Sequence, residues 1–295
     1  MRKSTPSTPM PEPLGQLLQN SWTFFAAKFR MIALGALAFT ILSAGSYAFF
    51  VRQLDYRIDT IVTANRIERA DLQQALTKWF NDMSLAEILQ AVEEERKSFG
   101  GQVSDDKQAR VDDAVARYLL VAGPMFFIST FVSVTISFVA MVFFLMFAVQ
   151  GGGTAYEMSR RLTWVLPKVI GVFLWSLARS FIWVPFIGIL TSIWLLPRFL
   201  FAPVIMLKTG KGIFASTSMS YACSRGYWLT IVCNLFVLGA ILLFAAWIAA
   251  TVTAIVGLFD NKISVVIWIF CSQVCTAFAA VFIARMGLGF LPGKV

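Results

Sequence analysis

Four stretches of this sequence, 31–51, 123–149, 229–259 and 263–284, run for 21 residues or more without a charged side chain. Lipid offers a peptide group no hydrogen-bond partner, so backbone inside it must bond within its own segment. An apolar α-helix of about 20 residues does this while crossing the hydrocarbon. A fifth stretch, 169–207, holds 39 residues interrupted only by Arg179 and Arg198. At about 20 residues per crossing it divides into two spans. These are 162–178 and 186–207, with a tight turn at 179–185 marked by the interfacial residues Trp175 and Trp183. The expectation is an all-α polytopic membrane bundle of about six transmembrane helices. Composition agrees, because 58% of the 295 residues are hydrophobic and only 14% charged, against about 25% charged in soluble domains.

Charge orders the spans. Segments 1–30, 150–168, 208–228 and 285–295 carry net charges of +3, +2, +3 and +2, whereas 52–117 carries −3. The positive-inside rule then puts both termini on the cytoplasmic side and 52–117 and the 179–185 turn outside. The net +9 of the chain is absorbed by topology and anionic headgroups rather than by nucleic acid.

Four regions follow. Residues 1–13 are rich in Pro, Ser and Thr, are expected to be disordered, and lack the apolar core of a cleavable signal. Region 14–51 joins a helix to the first span. Leu14, Leu17, Leu18, Trp22, Phe25 and Phe29 form a helical stripe, read either as an interfacial amphipathic helix or as an extension of the span. Region 52–117 is an extracytoplasmic helical insert: Leu54, Ile58, Ile61 and Val62 continue from the span, and Leu72, Leu76, Trp79 and Phe80 repeat the pattern. Ser84-Leu-Ala-Glu87 opens a further helix as a capping box, and Ser104-Asp-Asp106 opens another. Region 118–295 carries the remaining spans and a second interfacial helix, 212–226.

Candidate chemistry is sparse. With no histidine, imidazole acid–base, phosphorelay and metal chemistry are excluded. Cys271 and Cys275 share one helix face and read as packing residues. Gly151-Gly-Gly153 lacks the strand and Lys-Ser/Thr of a phosphate-binding loop and reads as a helix stop. Glu93-Glu-Glu95 reads as a solvated face, and Ser216, Thr217, Ser218 and Ser220 as interfacial hydroxyls. No cofactor and no metal site are expected. Arg198 stands out, about 15 Å up its span from Lys208, where a charge costs about 2.5–3.5 kcal/mol. Its available partners are Asn234, backbone carbonyls opened by Pro203, or a lipid phosphate. Two readings stay open, an anion- or headgroup-binding site comprising Arg198, Asn234, Lys208, Lys211 and Arg225, or a snorkelling arginine.

Arg198-x4-Pro203, the Lys208-Thr-Gly-Lys-Gly212 turn and Ser220-Tyr-Ala-Cys-Ser-Arg-Gly-Tyr-Trp228 together resemble the membrane domain found beside bacterial glycerophosphodiester phosphodiesterases and its stand-alone relatives. Ser21-Trp-Thr-Phe-Phe25 before the first span resembles the start of the same group. The resemblance implies six helices in a bacterial inner membrane and no agreed activity, and the 52–117 insert departs from it. Setting Ser21 on Ser220 also puts Trp22 on Tyr221 and Phe29 on Trp228, which a parallel duplication or convergent interfacial composition explains equally.

The function expected is non-enzymatic, because no acid, base and nucleophile set is visible: membrane organisation, lipid sensing or partner scaffolding. Its partners would be the bilayer, anionic lipids and a protein engaging 52–117. The alternative is a transporter or flippase for an anionic amphiphile.

Overall fold

The computed structural model describes residues 12–82, 87–88, 90, 92–93, 107–181 and 195–291. The elements are α1 (Leu14–Ala27), α2 (Phe29–Asn65), α3 (Arg69–Asp82), α4 (Lys107–Gln150), α5 (Ala155–Phe181), α6 (Ala202–Thr209), α7 (Ile213–Cys223), α8 (Trp228–Gly257) and α9 (Asn261–Gly289). No strand occurs among the described residues. Five helices, α2, α4, α5, α8 and α9, are long and apolar enough to cross a membrane. The chain is a multi-pass membrane protein built as a helical bundle.

Helix α8 shows the inversion that lipid imposes. Leu243, Phe244 and Trp247 face outward, while Asn234 and Thr253 are buried. Apolar side chains are as comfortable in lipid as in protein, so the polar groups turn in.

Two compact units divide the chain: 1–42 with 136–295, and 43–135. In the second, α3 packs on the later part of α2 and the earlier part of α4. Its core is Ile67, Leu72, Ala75, Val111, Ala114 and Val115. Among the described residues, the insert expected over 52–117 consists of prolongations of two spans and helix α3, with 87–88, 90 and 92–93 also helical. Arg69 ties α3 to α2 through Asp59 at 2.6 Å, and Lys107 ties α4 to α3 through Asp71 at 3.1 Å. The capping residues Ser84, Ser104, Asp105 and Asp106, and Glu94 and Glu95, lie outside the described residues.

In the first unit the main core joins α1, the start of α2, the end of α4 and α9 around Phe24, Ile32, Phe144, Met146, Ala280 and Ala284. Helix α1 is neither an extension of the span nor a free interfacial helix. It stops at Ala27, and Leu17, Ser21, Phe24 and Phe25 are buried, largely against α9, while Trp22 is 63% exposed. The inward stripe runs through Ser21 rather than Trp22, because a small hydroxyl residue permits close helix approach and an indole does not. Gln150, Lys208 and Leu288 line one concavity with Glu12. Tyr227, just before α8, rests on Phe290, with ring centres 5.7 Å apart. The ends of α4, α6 and α9 and the start of α8 thus gather at one end of this unit.

The span expected over 186–207 takes another form where it is described. Residues 195–199 are helical, the chain turns at 200–201, and α6 then runs only eight residues. Ala202, Pro203, Val204, Ile205 and Met206 are all buried. A helix buried all round is a core plug rather than a lipid-facing span. Residues 186–194 and most of the 179–185 turn lie outside the described residues, and α5 stays helical through Phe181.

The Lys107 hydrogen bond holds the Asp71 carboxyl below the usual carboxylate range. A depressed carboxylate pKa contributes stability above its unfolded value, and that contribution is lost as pH falls through the folded value. We expect Lys107→Gln to loosen α3 at neutral pH and to converge on wild type as pH falls below the ordinary carboxylate value near ~4 and on through the lowered folded value. Hydrogen exchange across α3, corrected for intrinsic rates, measures the difference.

Candidate anion-binding site

The site begins with proline chemistry. Pro203 has no N–H for the carbonyl of Phe199, and its ring would crowd that carbonyl in a continuous helix. Residues 195–199 therefore end, and α6 restarts with Pro203 in its first turn. At the break, the Arg198 carbonyl accepts a donor from outside its own segment. Ser220 of α7 supplies one, its Oγ donating at 2.6 Å, with Ser224 a weaker second at 3.5 Å. Both serines are fully buried. Ser216, Thr217 and Ser220 of α7 thus turn into the protein, contrary to the interfacial hydroxyls expected there, while Ser218 stays exposed. Phe214 takes the outward position, where its ring meets Trp175 at 4.8 Å.

Helix α7 lies along the later part of α5. A Cβ at Gly171 would stand 2.6 Å from Ile213 Cδ1, so a larger residue there would require the end of the Ile213 side chain to shift. Farther along, Tyr221 meets the last turn of α5. The Arg179 guanidinium carbon lies 5.9 Å from the Tyr221 ring centre and 5.6 Å from that of Phe199. Arg198, 7% exposed, places its guanidinium carbon 5.2 Å from the same tyrosine ring. The two rings are 6.1 Å apart. Two guanidiniums and two aromatic rings thus form one cluster from three segments distant in sequence.

Its charge is one-sided. Residues 158–259 contain eight basic side chains and no acidic one. Glu157 begins α5, some ~33 Å along the helix from Arg179. Each cation–π contact contributes about 0.5–2 kcal/mol, depending on desolvation. Two like charges sharing one ring repel each other, the more so as the surroundings are less polar. An anion at the cluster removes that repulsion and adds charge-assisted hydrogen bonds, which the planar guanidinium fork makes well to phosphate.

The geometry also corrects the expected topology. Tyr221 reaches Tyr227 through two successive turns, closed by Ser224 N–H to Ser220 O and Tyr227 N–H to Ser224 O. Arg179 and segment 208–228 therefore cannot stand beyond opposite faces of a hydrocarbon layer about 30 Å thick. The charge count separated them because it sees only sequence order.

The other expected site residues are dispersed. Asn234 is buried on α8, and its amide donates to Met286 Sδ at 3.7 Å, facing α9 instead of Arg198. Lys208 is exposed at the end of α6 and shares the concavity of about 440 Å³ with Arg285, Asn20 and Gln150. Lys211 is exposed and reaches Met219 Sδ at 3.3 Å. Arg225 is exposed in the turn after α7. Arg179, Phe199 and Tyr221 were not among the expected site residues, and no linear motif joins them. Arg285, over Phe24 at 4.5 Å, repeats the arginine–aromatic pairing against α1. Among the described residues no group of His, Cys, Asp or Glu could hold a metal ion. The Cys223 thiol is pushed up by burial, away from thiolate reactivity.

No protein-family model matches this chain, and neither a curated protein nor a solved structure does.

Ser220→Ala removes the shorter of the two hydroxyl bonds to the buried Arg198 carbonyl and should destabilise the protein by about 1 kcal/mol. Ser218→Ala, at an exposed position of the same helix, should change stability by under about 0.5 kcal/mol. Thermal unfolding of the two variants in one detergent provides the comparison, and equal midpoints would contradict this account of the helix break.

Proposed function

We propose that this protein is a non-enzymatic, multi-pass protein of a bacterial inner membrane that holds an anionic lipid headgroup and through it organises or senses the bilayer. The observation that carries this reading is the pair of guanidiniums on the Tyr221 ring, within a stretch from 158 to 259 that contains no carboxylate. Guanidiniums bind phosphate well through charge-assisted hydrogen bonds, and a membrane supplies phosphate everywhere. The resemblance to a membrane domain that accompanies phosphodiesterases is compatible with a lipid-facing role. The basic segments 1–30, 150–168 and 285–295 favour cytoplasmic termini, and the region 52–117 would then be open to a partner outside.

Transport of an anionic amphiphile is a second reading. It is favoured by the interruption at 200–201 beside Arg198, since substrate sites of transporters are commonly formed where helices are discontinuous.

Wild-type protein in discs of mixed phosphatidylglycerol and phosphatidylcholine should retain the anionic lipid preferentially in native mass spectra. Arg179→Gln with Arg198→Gln should lower that retention roughly tenfold or more, since each lost charged hydrogen bond is worth about 1.5–3 kcal/mol. Equal retention of both lipids by the wild type would remove the basis of the proposal.

A further inference from the structure

The ends of α4, α6 and α9 meet at the cavity of about 440 Å³, which shares no lining residue with the arginine–tyrosine cluster. Lys208 and Arg285 bring two cations to it, Glu12 a carboxylate, and Asn20 and Gln150 two amides. The charges are kept apart. Glu12 rests on the end of α9, its Cγ 3.8 Å from where a Cβ at Gly289 would stand, and its carboxylate accepts from the Asn20 amide at 3.0 Å. Arg285 holds its guanidinium carbon 4.5 Å from the Phe24 ring centre, and its Nε is buried without a hydrogen-bond acceptor among the described residues. Lys208 is exposed in the last turn of α6. Among the described residues no ion pair joins Glu12 to either cation. Gln150 gives its oxygen to Arg161 at 3.2 Å, which leaves its amide nitrogen as the donor for the cavity.

We infer that this cavity binds a zwitterion, a phosphodiester joined to a primary ammonium, which is the chemistry of an ethanolamine phospholipid headgroup. The phosphate sits at Lys208 and Arg285, and the ammonium at Glu12 and the end of α4. Charge complementarity selects the occupant. A helix C-terminus carries about half a negative charge, and three helices end here, so with Glu12 they roughly balance the two cations. A ligand with a net charge of either sign gains little from such a lining. A dipolar ligand meets opposite charge at both ends and makes charge-assisted hydrogen bonds at each. Its ammonium must carry N–H groups, because a carboxylate and helix-terminal carbonyls only accept hydrogen bonds. A quaternary ammonium has none to donate. The volume lies within the range of about 300–1,000 Å³ usual for small-ligand cavities. The place fits as well: α4 and α9 are both long and apolar enough to cross a membrane, and a span ends where headgroups begin.

Purified protein in detergent is offered dioleoyl phosphatidylethanolamine, dioleoyl phosphatidylcholine or chain-free glycerophosphoethanolamine. Lipid retention is read by native mass spectrometry, and binding of the chain-free diester by the shift in melting temperature. Neither Glu12 nor Lys208 is a core residue, so Glu12→Gln and Lys208→Gln should melt with the wild type, which shows them folded. The wild type should retain the ethanolamine lipid about tenfold more tightly than the choline lipid, the worth of one charge-assisted hydrogen bond. Glu12→Gln should abolish that preference, and Lys208→Gln should weaken retention of both lipids. A shift from the chain-free diester at the concentration of the lipid would name the free diester as ligand, and a response to the lipid alone would name the headgroup; either supports the site. Equal retention of the two lipids by the wild type, or a preference unchanged in Glu12→Gln, would overturn it. Arg179→Gln with Arg198→Gln should keep the ethanolamine preference, so this site and the arginine–tyrosine cluster stand or fall separately. Loss of the preference in that double variant would also overturn the inference.

Discussion

The bond from Ser220 Oγ to the Arg198 carbonyl, 2.6 Å long, is the interaction on which the first unit turns. A chain broken by proline inside a membrane protein must find new partners for the backbone groups it releases, because lipid supplies none. Here the partner comes from a short helix whose small hydroxyl residues point inward. That requirement explains why α7 inverts the usual arrangement, with Ser216, Thr217 and Ser220 buried and Phe214 outside. It also brings Tyr221 to the broken segment, one residue beyond the serine that makes the bond. The aromatic support for both arginines is thus a consequence of satisfying a carbonyl.

The same economy of polar groups runs through the unit. Thr40, Thr217 and Thr253 return their hydroxyls to carbonyls of their own helices, and Asn234 turns to a sulfur. Arginines, which cannot lose their charge, are placed on rings: Arg198 and Arg179 on Tyr221, and Arg285 on Phe24. An aromatic face is the cheapest electronegative surface in a segment without carboxylates. Such contacts offset part of the charge. Helices α1 and α7 share this construction, each holding a fully buried serine and an arginine–ring contact before a long span. That parallel extends the likeness between their sequences.

Much of the architecture was legible in the chain because hydrophobic length is a local property. The uncharged runs over 31–51, 123–149 and 263–284 each fall within a single helix, and the run over 229–259 does so up to Gly257. The stripes of 58–62 and 72–79 became the core of the second unit. The stretch 169–207 misled because counting apolar residues cannot distinguish a segment facing lipid from one facing protein. Both are equally apolar, yet the second can be short and broken. Trp22 misled for a related reason: its helical spacing fits the stripe, but only the neighbouring α9 decides which face is inward.

Sequence alone determined that this chain is helical and multi-pass, that its polar insert is helical, and that Arg198 needs compensation, since each follows from residue spacing and the energetics of charge in lipid. Tertiary structure decided what compensates it. Asn234, the one polar residue expected to help, faces away, and Tyr221, 23 residues on, lies under the guanidinium. Arg179 joined the site from a position read as an outer turn. Contacts between segments depend on which faces pack, and that choice is made by backbone bonds such as the one from Ser220, which leave no periodic trace in the sequence.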